Sequence, residues 1–371
     1  MPESAGVKTF LNTIKREATM PEKPNISWDK GSAYDLFVSL RILHKPDEFG
    51  LRPSWAAGVR SRLPIPLRNV LEEAEQFINI PLAFVHDLPE PKDAAAALAA
   101  LKALPPEERL PALVFGSKSN ERINEYKSFL ISLQGKQRLT ARVETQIKED
   151  FRPSTRATKP ALRAAFEAWA NRKRFGEQFY RALEAYVQNF YQEEEIRIIP
   201  AQEQALENAQ SLAQEKDVLS AVEELSAGVR LDLIADKKNL ILAPSFWGAP
   251  FVFFDQLNCD TGLVLFGARP KGMALVPGDL VPEDLLNALK ALADPTRLRI
   301  LRYLLEGPRT PSELSKILRL RPPTVIHHLN QLRLAGLVRL TVSPETERRY
   351  EVRMDGVHKT VQDLNQFLSG D

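Results

Sequence analysis

Five histidines, a lone cysteine and 48 acidic side chains are what this 371-residue chain offers for metal binding or proton transfer near neutral pH. Two of the histidines are adjacent, His327 and His328, within RPPTVIHHLNQLRLAGLVRL. Consecutive side chains on a helix diverge by about 100°. The two rings therefore cannot chelate one ion together, and no carboxylate stands at a spacing that would orient either as a base. His44 and His86 are isolated and read as structural histidines. Cys259 has no cysteine to pair with, so an internal disulfide is excluded. The chain contains no G-x-S-x-G, no H-E-x-x-H, no Walker loop and no dinucleotide fingerprint, and GARPKG lacks the spacing of a phosphate cradle. The expectation is a non-enzyme without cofactor or metal site.

Charge gives a stronger signal. The net charge is only +2, but it is unevenly spread. Met1 to Leu280 carries 36 basic and 37 acidic residues, a net of −1, whereas Pro295 to Arg353 carries 12 basic and 5 acidic, a net of +7. A short basic segment of this kind suits a polyanionic partner.

The elements that must position the histidines can be read from local signals. PEDLLNALKAL is helical. Asp294 is an N-cap with Pro295 in the first turn, and the helix TRLRILRYLL stops at Gly307. Thr310, Pro311 and Glu313 form a capping box for PSELSKIL. Arg319–Leu320–Arg321 connects it to a helix that opens at Pro322–Pro323 and closes at Gly336. LVRLTV and RRYEVRM follow as two strands around SPETE, and a last helix runs through GVHKTVQDLNQFLSG. Helix, turn, helix and hairpin make a winged helix-turn-helix. Val325, Leu329 and Leu332 form the buried stripe. His327 points away from it with Thr324 and Gln331, flanked by Pro323 and Asn330, while His328 sits at the core's edge, packing and hydrogen-bonding. Thr324, His327 and Gln331 are expected to face bases. Arg321, Arg333, Arg348 and Arg349 are expected to meet phosphates, with Arg333 leaning toward the flank.

LADPTRLRILRYL, TPSEL, TVIHHLNQLRLAGLV and RRYEV, in this order and spacing, resemble the ArsR family of winged-helix transcription regulators over about 90 residues from Pro282 onward. The resemblance implies a dimer that binds double-stranded operator DNA, usually as a repressor, with Pro323, Thr324, His327, His328 and Gln331 on its recognition helix. Ile326 stands where the family commonly has serine, which removes one polar contact. The arsenic sensors' thiolate pair has no counterpart here, and Asp355, His358 and Asp363 are too sparse for the family's carboxylate–imidazole site. The family also implies a dimer built from the first and last helices. Val357, Val361, Leu364 and Leu368 supply an apolar stripe for that, or for packing on this chain's own N-terminal part. A C2 dimer would set two recognition helices about 34 Å apart.

The fold class expected is mainly α with a small antiparallel β-meander and a C-terminal winged helix-turn-helix. Residues 1–227 read as a helical domain. Residues 228–280 read as a four-stranded meander (RLDLIAD, NLILAPS, FVFFDQ, GLVLFGA) packed on it. Residues 281–371 are the winged helix, with the boundary around Pro277 to Pro282. The stretch Ala243–Pro244–Ser245–Phe246–Trp247 is similar to one in longer ArsR-type regulators whose helical N-terminal region is uncharacterised. This body is expected to be sensory or dimerising, with an unknown small-molecule effector. Phe246, Trp247, Phe251, Phe253 and Phe254 serve as core between meander and helices, or else line an apolar pocket. No apolar run approaches the roughly 18 residues of a membrane span, and the N-terminus lacks a secretory core, so a cytoplasmic protein is expected. The function expected is a sequence-specific repressor acting as a homodimer; the alternative is a winged-helix protein-interaction scaffold without DNA binding.

Overall fold

The computed structural model describes residues 24–150, 158–226, 228–270, 273, 275, 281–342 and 347–369. The described residues open with β1 (Asn25–Trp28) and α1 (Ser32–His44), then a 3-10 turn at Pro46–Phe49. Next come α2 (Pro53–Ser61), α3 (Ile65–Ala74), α4 (Leu82–His86), α5 (Ala94–Ala103), α6 (Pro106–Phe115), α7 (Glu121–Ile131) and α8 (Ala141–Asp150). α9 (Lys159–Ala170), α10 (Arg172–Tyr186), a π-helical turn at Val187–Tyr191, α11 (Gln192–Glu215) and α12 (Val218–Leu225) complete the helical run. Side chains of Asp93, Asn120, Thr158 and Asp217 cap α5, α7, α9 and α12 by accepting from the backbone N–H groups of the first turn. α1 is buried almost all round, from Ser32 to Leu43, so it is the body's central helix. Ser32 is its first residue, and the hydroxyl donates to Glu195 Oε1 at 2.6 Å.

The strands correct the expected meander. β3 (Asn239–Ser245), β4 (Phe253–Gln256) and β5 (Thr261–Gly267) join β1 in a mixed sheet of order β1-β3-β5-β4. β1–β3 and β3–β5 are parallel, and only β4–β5 is antiparallel. The physical reason is burial on both faces. Ile241, Ala243, Leu263 and Leu265 point into the helical core with α1, while Leu240, Leu242, Val264 and Phe266 point into a second cluster with Ala209, Val218 and Val222. A strand covered on both sides suits the interior of a parallel arrangement. One core thus spans residues before and after the expected boundary at 228. RLDLIAD does not belong to this sheet: β2 (Val229–Leu231) leaves it to pair in parallel with β6 (Val338–Val342).

Two buried carboxylates fix the body. Asp35 on α1 accepts from Ser245 Oγ at 2.6 Å, the Phe246 and Trp247 N–H groups at 2.7 and 2.9 Å, and Gln202 Nε2 at 2.7 Å. It ties α1 to α11 and to the end of β3. Burial pushes its carboxyl up to about 6, against the pull of those four donors. Asp29 accepts from Tyr34 Oη and His86 Nδ1, both at 2.8 Å, and from Lys92 Nζ at 2.7 Å. Burial raises its pKa, but hydrogen bonds from His86, Lys92 and Tyr34 and the Lys92 charge outweigh that and hold it at about 2. Phe246, Trp247 and Phe251 are buried, and Trp247 meets Trp55 and Phe190 at 6.0 and 5.9 Å between ring centres, so these aromatics act as core.

The C-terminal part comprises α13 (Glu283–Leu292), α14 (Pro295–Leu304), α15 (Pro311–Leu318), α16 (Pro322–Leu334), β6 (Val338–Val342), β7 (Arg349–Val352) and α17 (Met354–Ser369). Its core is separate from the body's: Ile300, Leu304, Leu314, Leu318, Val325, Leu329, Leu332 and Leu340. Most of the joint expected between Pro277 and Pro282 lies outside the described residues. α17 packs along α13 and leaves Val361, Phe367 and Leu368 exposed.

Candidate nucleic-acid interface

Local chemistry sets α16 in place. Asp294 Oδ1 accepts from Arg297 N at 2.9 Å and starts α14. Thr310 Oγ1 accepts from Glu313 N at 3.2 Å while Glu313 Oε2 accepts from Thr310 N at 2.7 Å, the reciprocal box that starts α15. α15 stops at Arg319, which takes the left-handed conformation (φ 56°), and Ser315 Oγ donates to Leu320 O at 2.6 Å across the connector. Two prolines then open α16. Val325, Leu329 and Leu332 are fully buried and hold the helix down. β6 and β7 pair antiparallel, with Leu340 opposite Tyr350, and Arg309 adds a bridge to Tyr350. Residues 343–346, the expected hairpin tip, lie outside the described residues.

The beginning of α16 is open. Arg321, Pro323, Thr324 and His327 are exposed, as are Arg348 and Arg349 where β7 begins. Arg349 Nη1 donates weakly to Pro308 O at 3.5 Å. Exposed Lys316 and Arg319, at the end of α15 and in the connector, join this group. They stand outside the set expected from sequence, although basic residues bracketing the connector are a signal for them. None of Lys316, Arg319, Arg321, Arg348 and Arg349 forms an ion pair among the described residues.

The end of α16 is less open, and two of the residues expected to meet DNA contact the body here. The Arg333 guanidinium lies 4.5 Å from the centre of the Phe251 ring, and burial lowers its pKa to about 10. In this structure it faces the body. Gln331 Nε2 donates to Asp47 O in the Pro46–Phe49 turn at 3.4 Å. His328 also departs from expectation. Its side chain is largely buried, as expected, but its Nδ1 finds no hydrogen-bond partner among the described residues. Asp294 Oδ1 stands 3.9 Å away, a carboxylate brought in from another helix. Burial lowers the His328 pKa, against the pull of the Asp294 charge. The same Asp294 oxygen serves the cap of α14.

Among the described residues no group of three or more His, Cys, Asp or Glu is placed to hold a metal ion. Asp355 pairs with Arg353 at 2.7 Å and Asp363 with Lys359 at 3.2 Å.

Residues 294–339 match the family model described as bacterial regulatory protein, arsR family. This segment is an ArsR-family helix-turn-helix domain. It takes in α14, α15 and α16 and reaches the first residues of β6. The transcriptional repressor SdpR of Bacillus subtilis (strain 168) is 36% identical over 52 residues, which amount to 14% of this chain and 58% of that protein. The chain therefore spans little more than half the length of the relative it resembles. No solved structure matches the chain. Among the described residues no helix is long and apolar enough to cross a membrane. The helix-turn-helix thus belongs to a family of DNA-binding regulators, and the match does not extend to the long body in front of it.

Proposed function

We propose that this protein is a cytoplasmic, sequence-specific repressor that binds duplex DNA as a homodimer, with the N-terminal body as its sensory part and no metal or catalytic site. The observation that carries the reading is the open start of α16. Thr324 and His327 project from a helix whose other side is anchored by Val325, Leu329 and Leu332. Lys316, Arg319, Arg321, Arg348 and Arg349 surround it without ion-pair partners among the described residues. A helix fits the major groove and presents its N-terminal residues to base edges. The surrounding cations neutralise phosphates, which fixes register and supplies most of the affinity.

Repression is carried over from SdpR, which is a transcriptional repressor. Dimerisation is supported by α17, where Val361 (54% exposed) and Leu368 (72% exposed) form an apolar strip that nothing in this chain covers among the described residues. The test is a salt titration of DNA affinity, in which log K should fall steeply and linearly with log salt. A flat response removes the reading. The docking of Gln331 and Arg333 on the body favours the alternative, a protein-interaction scaffold, and that alternative predicts the flat response.

A further inference from the structure

The body holds both parts of the ArsR-family domain that would meet DNA, and it holds them differently. At the hairpin, β2 extends the β6–β7 sheet through a parallel ladder, Val229 opposite Leu340 and Leu231 opposite Val342. Glu223 of α12 adds an ion pair to Arg339 at 2.7 Å. This is backbone pairing, continuous with the sheet. At α16 the hold is lighter. It consists of the long Gln331–Asp47 hydrogen bond, the stacking of Arg333 on Phe251, and Leu334 seated over Gly50. Phe251 is braced in turn by Phe49 at 4.9 Å between ring centres.

The geometry sets these contacts against DNA. Gln331 lies four residues beyond His327, one turn along the same outward face. A duplex that seats α16 in its major groove must run along that face. The turn Pro46–Phe49 already occupies its far end. Leu334 is buried against Gly50 of the body and lies outside the cluster that forms the helix-turn-helix core.

We propose that the body autoinhibits the domain: the Pro46–Phe49 turn and Phe251 clasp the C-terminal half of α16, and DNA must displace them to seat the helix fully. Gln331 and Arg333 then serve two exclusive partners, the body in the closed form and the duplex in the open one. The β2–β6 ladder remains as the hinge about which the clasp opens. Any effector of the body acts by shifting this equilibrium, and only to the extent that it binds the two forms unequally. The inference rests on the DNA-binding reading above.

The test changes the body alone, in the full chain. Phe251→Ala removes the stacking surface. Gly50→Ala places a Cβ 2.6 Å from Leu334 Cδ2 at a position with φ +73°, so the Leu334 side chain or the strained turn must shift and the contact is loosened. A duplex selected from a random pool by the wild-type protein is the probe, with affinity read by fluorescence anisotropy at one fixed salt concentration. Each variant should bind about tenfold more tightly, which corresponds to ~1.4 kcal/mol. Equal or weaker binding by variants with an intact circular dichroism spectrum overturns the autoinhibition while leaving DNA binding standing. The two substitutions act through different atoms, so a folding defect in one leaves the other informative. If neither the wild type nor the variants show salt-sensitive binding to any duplex, the functional reading falls, and the clasp with it.

Discussion

Arg333 lies with its guanidinium 4.5 Å from the centre of the Phe251 ring, although 82 residues of chain separate the two. This contact turns a basic residue of the recognition helix away from solvent and makes the body part of the DNA-binding question. In the proposed reading, the phosphates of a duplex approaching this closed form are left to residues at the other end of α16 and on the hairpin.

Replacing Arg348 and Arg349 together by Ala should weaken binding to all duplexes alike. Removing one cation from a phosphate should reduce the salt slope by about 1. Anisotropy titrations on a selected and a scrambled duplex check this. Weakening confined to the selected sequence would assign these arginines to base recognition.

Thr324→Ala and His327→Ala should behave in the opposite way. Each should cost about 1–3 kcal/mol on the selected duplex and relax preference at one base position, with little change on scrambled DNA. Repeating the selection with each variant shows whether the preferred base changes.

Leu368→Glu on α17 should convert a dimer to monomers, because it puts a charge into the strip proposed to be covered by the second copy. Sedimentation velocity reads the change in mass. A wild-type protein already monomeric at micromolar concentration contradicts the dimer, and so would a footprint lacking two half-sites about 34 Å apart.

Asp35 predicts a pH dependence. Its carboxyl rises from an ordinary 3.8 to about 6 on folding, so the folded protein holds this proton more tightly than the unfolded chain. Its contribution is therefore fully present below pH ~4 and is lost as pH rises through about 6, an effect of ~3 kcal/mol at most. Asp35→Asn should flatten that decline in denaturation midpoints measured between pH 4 and 6. The asparagine also brings an NH2 group against either the Phe246 N–H and Gln202 Nε2 or the Trp247 N–H and Ser245 Oγ, so the variant should be less stable at pH 7 by about 1–3 kcal/mol. An unchanged pH profile in Asp35→Asn would mean that the four donors, rather than burial, dominate this carboxyl.

Much of the C-terminal domain was written in short-range chemistry. The Asp294–Pro295 start, the Thr310–Glu313 box, the prolines at 322 and 323 and the Val325–Leu329–Leu332 stripe depend on residues three or four apart. Their energies are settled within one turn, so they can be read before any fold is known. The outward aspect of Thr324 and His327 follows from the same periodicity. Sequence spacing could not show which outward residues would meet another part of the chain. Gln331 and Arg333 share the polar side of α16 with His327 or its flank, yet the body covers them and leaves His327 open. The strands followed the same rule. Their β character was legible in residue type, but their partners were not. β1 meets β3 more than 200 residues away, and β2 leaves its neighbours for the hairpin. Pairing of that kind is decided by which apolar faces the assembled helices leave to be covered, a property of the whole packed chain. The Asp29–His86–Lys92 cluster and the docked end of α16 belong to that same level, since each needs distant segments already in place before its contacts exist.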